Sequence, residues 1–267
     1  MRLKIKISVI ALCMFLVACS KKDEDMTKAR TSLMLGTPKI STPMPVFVGQ
    51  EPVQAGQDIL KPDLKVPLSQ YVDLNSKPDG FVLTQAVLAR TSALRDEEKL
   101  NVLSSAYYNE RDTFKKKEIA ESQLPLINAS LDDSRSKNYY HLPIDIHAEE
   151  DLSFKILHIE PYDFATKGFR LKNIFNSDYC WSARARSQQS AVLEIGSSSF
   201  PCHLSVEDES TARLIETARA QGALKTTGKL YVFITHMDDG KAMAVVTHAH
   251  LDLVNEKTKT LLASFDL

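Results

Sequence analysis

Two histidines and an aspartate near the C-terminus stand at the spacing of a metal site. The segment Thr247-His-Ala-His-Leu-Asp252 carries His248, His250 and Asp252 at every second position. On a β-strand, side chains two residues apart point to the same face, so these three groups would lie side by side. Imidazole and carboxylate groups are ligands that Zn²⁺ takes in catalytic sites. The spacing is therefore that of a metal site on a strand.

The same segment resembles the Thr-His-x-His-x-Asp-His metal motif of the metallo-β-lactamase fold. That resemblance implies a hydrolase, but Leu253 stands where the family has its next histidine, and no His or Cys occurs in the 15 residues after Asp252. A two-residue turn at Asp239-Gly240 pairs His236 with Met243 and places it on the opposite face. We expect surface histidines on a sheet, with a weak two-histidine metal patch or a catalytic zinc site as the alternatives.

Two further motif matches fail in their context. Ser134-Arg-Ser-Lys137 matches the Ser-x-x-Lys of penicillin-binding enzymes, but there the serine opens a helix and here it follows one. Gly222 to Lys229 is similar to a phosphate loop, but it leads into a strand and not into the helix N-terminus that binds phosphate. No cofactor is therefore expected.

The chain has four cysteines, at positions 13, 19, 180 and 202. Cys13 and Cys19 fall in or beside an N-terminal export segment, which leaves Cys180 and Cys202 in an oxidising compartment. We predict that these two form a disulfide. Two buried free thiols are the alternative. Trp181, next to Cys180, is expected to pack in the core.

The N-terminus has the form of a secretory signal. Residues 1–6 include three basic side chains, and an uninterrupted apolar run follows and ends at Ala18. The run is too short to span a bilayer, which takes about 20 residues. We therefore expect residues 1–18 to be a signal peptide that is removed.

Leu16-Val17-Ala18-Cys19 resembles the lipobox of bacterial lipoproteins. The resemblance implies cleavage before Cys19, diacylglycerol on its sulfur and an acyl chain such as palmitate on its amino group. Several acyl chains on one residue anchor a protein stably in a membrane. Ser20 follows where an inner-membrane retention signal would place Asp, which implies the outer membrane, facing the periplasm. The alternative is an ordinary secretory signal with an incidental Cys19.

Length and charge limit the possibilities for the mature chain. Removing 18 residues from 267 leaves 249, enough for one large or two small domains. Losing three basic residues takes the net charge from −1 to −4, so the chain has no basic footprint for nucleic acid. Residues 19–68 hold six of the eleven prolines and are predicted to form an extended tether. Residues 69–267 are predicted to form a single domain.

Residues 76–132 have helical periodicity. A capping box at Ser76–Asp79 and a second start at Asp96 predict a pair of helices, and Pro125 is expected to kink or end the second one. Lys115-Lys-Lys117 is expected to be a solvated helix face.

From Tyr139 the apolar period changes to two, which predicts strands. A second capping box, Ser205–Asp208, predicts one late helix, with a stop at Gly222 and a buried face formed by Thr211, Leu214, Ile215 and Ala218. Helices followed by strands favour an α+β fold with an antiparallel sheet.

The segments Asp112–Glu118, Asn138–Leu142 and Tyr162–Phe169 resemble an uncharacterised family of exported bacterial proteins, which implies no activity. We therefore expect a membrane-anchored lipoprotein of the cell envelope that binds an envelope protein or cell-wall material and is not an enzyme. The alternative is a metal-dependent envelope hydrolase that uses His248, His250 and Asp252.

Overall fold

The computed structural model describes residues 59–91, 94–145, 152–155, 157–174, 179–196 and 200–267. The expected signal peptide, Cys19 and most of the expected tether lie outside these residues. No helix among the described residues is long and apolar enough to cross a membrane.

The helices of the described chain lie mainly before the strands. They are α1 (Phe81–Leu88), α2 (Asp96–Leu103), α3 (Ser105–Asn109), α4 (Thr113–Arg135) and α5 (Glu209–Ala220). The expected helical pair therefore corresponds to four helices, α1 to α4, followed by the late helix α5.

The longest helix, α4, begins where the carboxylate of Asp112 accepts the backbone N–H groups of Phe114 and Lys115. Pro125 was expected to kink or end this helix, and it does not end it, because α4 continues to Arg135. Beyond the proline, Ile127 and Leu131 are buried with side chains of α2 and of the end of α1. Their burial outweighs the one backbone hydrogen bond that the proline cannot make.

The late helix α5 is present as expected, but its N-cap is Asp208, which accepts the N–H groups of the first turn. The predicted capping box is wrong, because its first residue, Ser205, lies in a strand. Its buried residues are Ala212, Ile215 and Ala218, whereas Leu214 is exposed. The expectation that Leu214 faces the core is therefore wrong. The buried face is turned by about one position toward the small side chain of Ala212.

The strands form a large and a small sheet. They are β1 (Val72–Asp73), β2 (Tyr139–Asp145), β3 (Leu157–Asp163), β4 (Gly168–Asn173), β5 (Ala183–Arg186), β6 (Val192–Ile195), β7 (His203–Ser205), β8 (Leu224–Asp238), β9 (Lys241–Asn255) and β10 (Thr260–Asp266). The large sheet has the order β1-β2-β8-β9-β6-β5, with β10 also paired to β9, and the small sheet has the order β3-β4-β7.

The α+β class is confirmed, but the large sheet is mixed and not purely antiparallel. The pairs β1–β2 and β6–β9 are parallel. A parallel pair needs a long crossover connection, and the chain supplies one in each case. Helices α1 to α4 lie between β1 and β2, and β7, α5 and β8 lie between β6 and β9.

The predicted disulfide between Cys180 and Cys202 is confirmed, with an S–S distance of 2.07 Å. It ties the segment before β5 to the start of β7, where the Cys202 carbonyl accepts the N–H of Leu171 in β4. Trp181 is fully buried beside it and donates its indole N–H to the carbonyl of Pro201 at 2.7 Å. The tryptophan is therefore a core residue, as expected.

The last residues of the expected tether lie against the large sheet. The N–H of Leu60 donates to the carbonyl of Thr235 at 3.0 Å, and the N–H of Asp63 donates to the hydroxyl of Tyr139 at 2.8 Å. The chain then enters β1, where Val72 pairs with Tyr140.

One face of the large sheet belongs to the main hydrophobic core. On β9 the core residues are Ala242, Ala244, Val246, Ala249, Leu251 and Leu253, and residues of α1, β3, β4 and α5 join the same cluster. The opposite face of the large sheet, which we call the outer face, carries the residues that alternate with these.

Candidate functional site

The expected row of polar side chains lies on the outer face. In β9, His248, His250 and Asp252 alternate with the core residues Ala249 and Leu251, and each is partly exposed. The prediction that the three share one face of a strand is therefore confirmed.

His250 is held between two carboxylates. Its Nδ1 lies 2.6 Å from Asp266 of β10, and its Nε2 lies 3.4 Å from Asp252 on its own strand. Ser264 of β10 donates its hydroxyl to Asp252. We call these four residues the His250 clasp. In it, each ring nitrogen of the histidine faces a carboxylate of the protein itself.

The clasp changes the proton affinity of the imidazole. The hydrogen bond to Asp266, with the added negative charge of Asp252, raises the pKa of His250 above its usual value. On the neighbouring strand β8, Lys229 pairs with His250 in the ladder and is the cation closest in register. The carboxylates prevail over it, so the clasp favours an imidazolium ion.

His248 has a different environment from His250. Its Nδ1 lies 3.5 Å from the hydroxyl of Tyr71, which also lies 2.9 Å from the hydroxyl of Thr247. The ring of Tyr71 packs edge-on against those of Tyr139 and Tyr231, at centroid distances of 5.1 and 5.2 Å. The two histidines therefore belong to separate clusters, one aromatic and one ionic.

The described part of the chain holds no group of three or more His, Cys, Asp or Glu residues arranged to bind a metal ion. His248 and His250 stand at the right spacing, but each has its own partners. Their arrangement is that of a structural ion pair and an aromatic contact.

His236 lies on the outer face, which corrects the sequence-based expectation. The predicted pairing of His236 with Met243 is confirmed, but Thr235 and Thr247 each form a bulge without a ladder partner. A bulge shifts the alternation of side chains along its strand by one residue. Because Thr247 lies between Met243 and His248 on β9, these two residues face the same side of the sheet. His236 is still about 15 Å from His248, given about 3.3 Å per residue along a strand.

Of the other two rejected motifs, the first lies at the end of a helix, as expected, whereas the second is not the expected loop. Ser134 is in the last turn of α4, where its carbonyl accepts from Arg90, and Lys137 pairs with Asp133 at 2.5 Å. The segment from Gly222 to Lys229, expected to be a loop before a strand, already belongs to β8 from Leu224 onward. Neither has a helix N-terminus after it, so neither supplies the geometry of its motif.

Comparisons with known proteins identify no relative. No family model, curated protein or solved structure matches the chain. Its function must therefore be inferred from its own residues.

A cleft of about 690 Å³ lies in the helical part, away from the clasp. Its walls include Phe81 of α1, Val102 and Leu103 of α2, and Tyr108 of α3, with Lys77 at the rim. The ammonium group of Lys77 lies 4.9 Å from the centre of the Phe81 ring. Most of its remaining lining is polar and includes one acid, Asp79. The cleft therefore combines apolar walls with side chains of both charges, which suits a binding surface.

Three residues of these clusters have no sequence signal that identifies them. Asp266 and Ser264 come beside His250 and Asp252 through the pairing of β10 with β9, and Tyr71 reaches His248 from the segment before β1. The turn between β9 and β10 pairs Thr260 with Asn255, and continuing that register would place Asp266 opposite Ala249 on the core face. A bulge near Leu262 shifts it to His250.

The His250 clasp should make stability depend on pH. The pKa of His250 is raised in the folded state. The stability that the clasp contributes is therefore fully present below the unfolded-state pKa of about 6.5, and it is lost as pH rises through the folded-state pKa. We expect the wild type to lose more stability than an Asp266→Asn variant when urea unfolding is compared at acidic and mildly alkaline pH. Partial exposure of the pair limits the difference to less than about 1 kcal/mol.

An NMR titration of the histidine ring protons provides the direct measurement. The pKa of His250 should fall in Asp266→Asn and stay unchanged in Asp238→Asn, which removes the same charge at the far end of the β8–β9 hairpin. Equal His250 titration curves in all three proteins would rule out the clasp.

Proposed function

We propose that this protein is a lipoprotein of the bacterial cell envelope, anchored by acyl chains on Cys19, whose domain binds an envelope protein or cell-wall material. The observation that carries the proposal is the sequence Leu16-Val17-Ala18-Cys19 at the end of a basic and then apolar segment. Two or three acyl chains on one residue attach a protein stably to a membrane without a spanning helix.

The disulfide supports an extracytoplasmic location. Disulfides such as Cys180–Cys202 persist in the periplasm and on cell surfaces, whereas the cytosol keeps thiols reduced. The bond links two loops of the folded domain covalently, and in the cytosol the reduced cysteines would leave these loops unlinked.

The arrangement of the polar residues supports binding over catalysis. An active site needs acid, base or nucleophilic groups that converge on a space for a substrate. His250 and Asp252 instead bind Asp266 and Ser264, and His248 contacts Tyr71. The cleft between Phe81 and Tyr108, with apolar walls and side chains of both charges, is the kind of surface that receives a side chain of a partner.

Ser20 supports transfer to the outer membrane. An Asp at this position is the inner-membrane retention signal of bacterial lipoproteins, and Ser lacks the carboxylate that the signal needs. A Ser20→Asp variant should therefore move from the outer to the inner membrane in a density gradient.

Metabolic labelling with palmitate tests the anchor. We expect the wild type to take up label and to fractionate with membranes, and a Cys19→Ser variant to be unlabelled and released from them. Cys13→Ser is the matched control, because Cys13 lies inside the predicted signal peptide, and it should behave as the wild type does. Label that persists in Cys19→Ser, or its absence from the wild type, contradicts the proposal.

A further inference from the structure

The turn between α3 and α4 exposes two large aromatic side chains. Phe114, in the first turn of α4, is 83% exposed, and Tyr108 of α3 is 68% exposed. A single exposed aromatic residue is ordinary, but two within seven residues at one turn form an apolar patch in contact with water. We call residues 108–117 the α3–α4 corner.

Basic residues surround this patch. Arg111, Lys115, Lys116 and Lys117 stand against two acidic residues, Glu110 and Asp112, so the corner has a net charge of +2 in a chain whose total is −1. The acidic side chains are both engaged by backbone N–H groups, Glu110 by those of residues 111 and 112, and Asp112 by those of residues 114 and 115.

The cations differ in how far they are engaged. Lys117 lies 3.8 Å from Glu121, and Lys116 lies over the ring of Tyr107 at 4.8 Å. Among the described residues, no carboxylate lies within ion-pair distance of Arg111 or Lys115. These two side chains are therefore available, next to Phe114, for an anion outside the protein.

Exposed aromatic rings together with lysine and arginine are typical of surfaces that lie at a membrane interface. Aromatic side chains enter the headgroup region, and basic residues near the surface bind anionic headgroups. We propose that the α3–α4 corner binds a membrane surface through anionic phospholipid headgroups, with Phe114 inserted between them. This inference rests on the proposed function, because a lipid on Cys19 would keep the domain near a membrane.

The corner would then act as a second, weaker contact beside the acyl chains. A single weak contact becomes effective once another attachment holds the two surfaces together. The domain would accordingly lie against the membrane at the turn between α3 and α4.

Vesicle sedimentation tests the corner without the acyl chains. The chain that begins at Ser20 is suitable, because every buried residue of the two core clusters lies within residues 74–253. It is mixed with phosphatidylethanolamine vesicles that do or do not contain phosphatidylglycerol. We expect binding to the anionic vesicles only, and loss of that binding at high salt.

Two matched triple variants locate the surface. Phe114→Ser with Lys115→Glu and Lys117→Glu should weaken binding at least about tenfold. Phe164→Ser with Lys257→Glu and Lys259→Glu makes the same changes at another equally exposed aromatic residue and another turn, and should leave binding within about twofold. Urea unfolding of both variants shows whether each remains folded.

Either of two results overturns the inference: a wild type that does not distinguish the two vesicle compositions, or a corner variant that binds as the wild type does. The first result would favour a protein partner for the corner. Both are independent of Cys19, so palmitate labelling can succeed while the corner fails, and the two failures are distinguishable.

Discussion

Gly228→Ala should lower the free energy of unfolding by about 3 kcal/mol or more. Gly228 lies in β8 where the backbone of β9 approaches most closely, and a Cβ at this position would be 1.9 Å from the carbonyl oxygen of His250. The residue also has φ at +149°, a conformation that side chains with a Cβ rarely adopt. Since β8 and β9 are the central strands of the large sheet, separating them to fit a methyl group would disturb the core beneath.

Gly196→Ala is the control for this prediction. Gly196 follows β6 and has no positive φ, and a Cβ added there would meet no atom within 4 Å. Urea unfolding of the two variants should show a large loss for Gly228→Ala and a change within about 0.5 kcal/mol for Gly196→Ala. Equal stabilities would contradict the close approach of the two strands at Gly228.

Removal of the disulfide should cost about 3 kcal/mol, because the bond between Cys180 and Cys202 restricts a loop of 22 residues in the unfolded chain. We expect this loss in the double variant Cys180→Ala, Cys202→Ala, whose small apolar side chains avoid placing new hydroxyls at the buried position 180. The measurement is again urea unfolding.

A reducing agent provides the internal control for the disulfide. It should lower the stability of the wild type to that of the double variant and leave the variant unchanged. A wild type whose unfolding midpoint is insensitive to reductant would show that the bond contributes nothing to stability.

Local sequence signals predicted the features that depend on neighbouring residues. The Asp239-Gly240 turn correctly placed His236 opposite Met243, and the late helix α5 was correctly predicted, although its cap is Asp208 and not Ser205. The cysteine count correctly predicted the disulfide, because only two cysteines lie beyond residue 19. In each case the determining residues lie close together in sequence or are few in number.

Features that depend on distant contacts were not predictable. Thr235 and Thr247 form bulges in two long strands that each bury one face. No residue pattern in the sequence marks the positions of these bulges. Continuation of α4 past Pro125 depends on burial against α2 and the end of α1. The partners of the candidate histidines, Asp266 and Tyr71, come from the two ends of the described domain, so spacing within β9 could not reveal them.

The contacts of the segment before β1 have a mechanical consequence. A protein held by its N-terminal end and pulled at its domain would transmit the force first to the hydrogen bonds of Leu60 with Thr235 and of Asp63 with Tyr139. The load would next reach β1, a strand of two residues at the edge of the large sheet. These few bonds would break before the long ladder between β8 and β9, and the segment would lengthen while the core stayed intact.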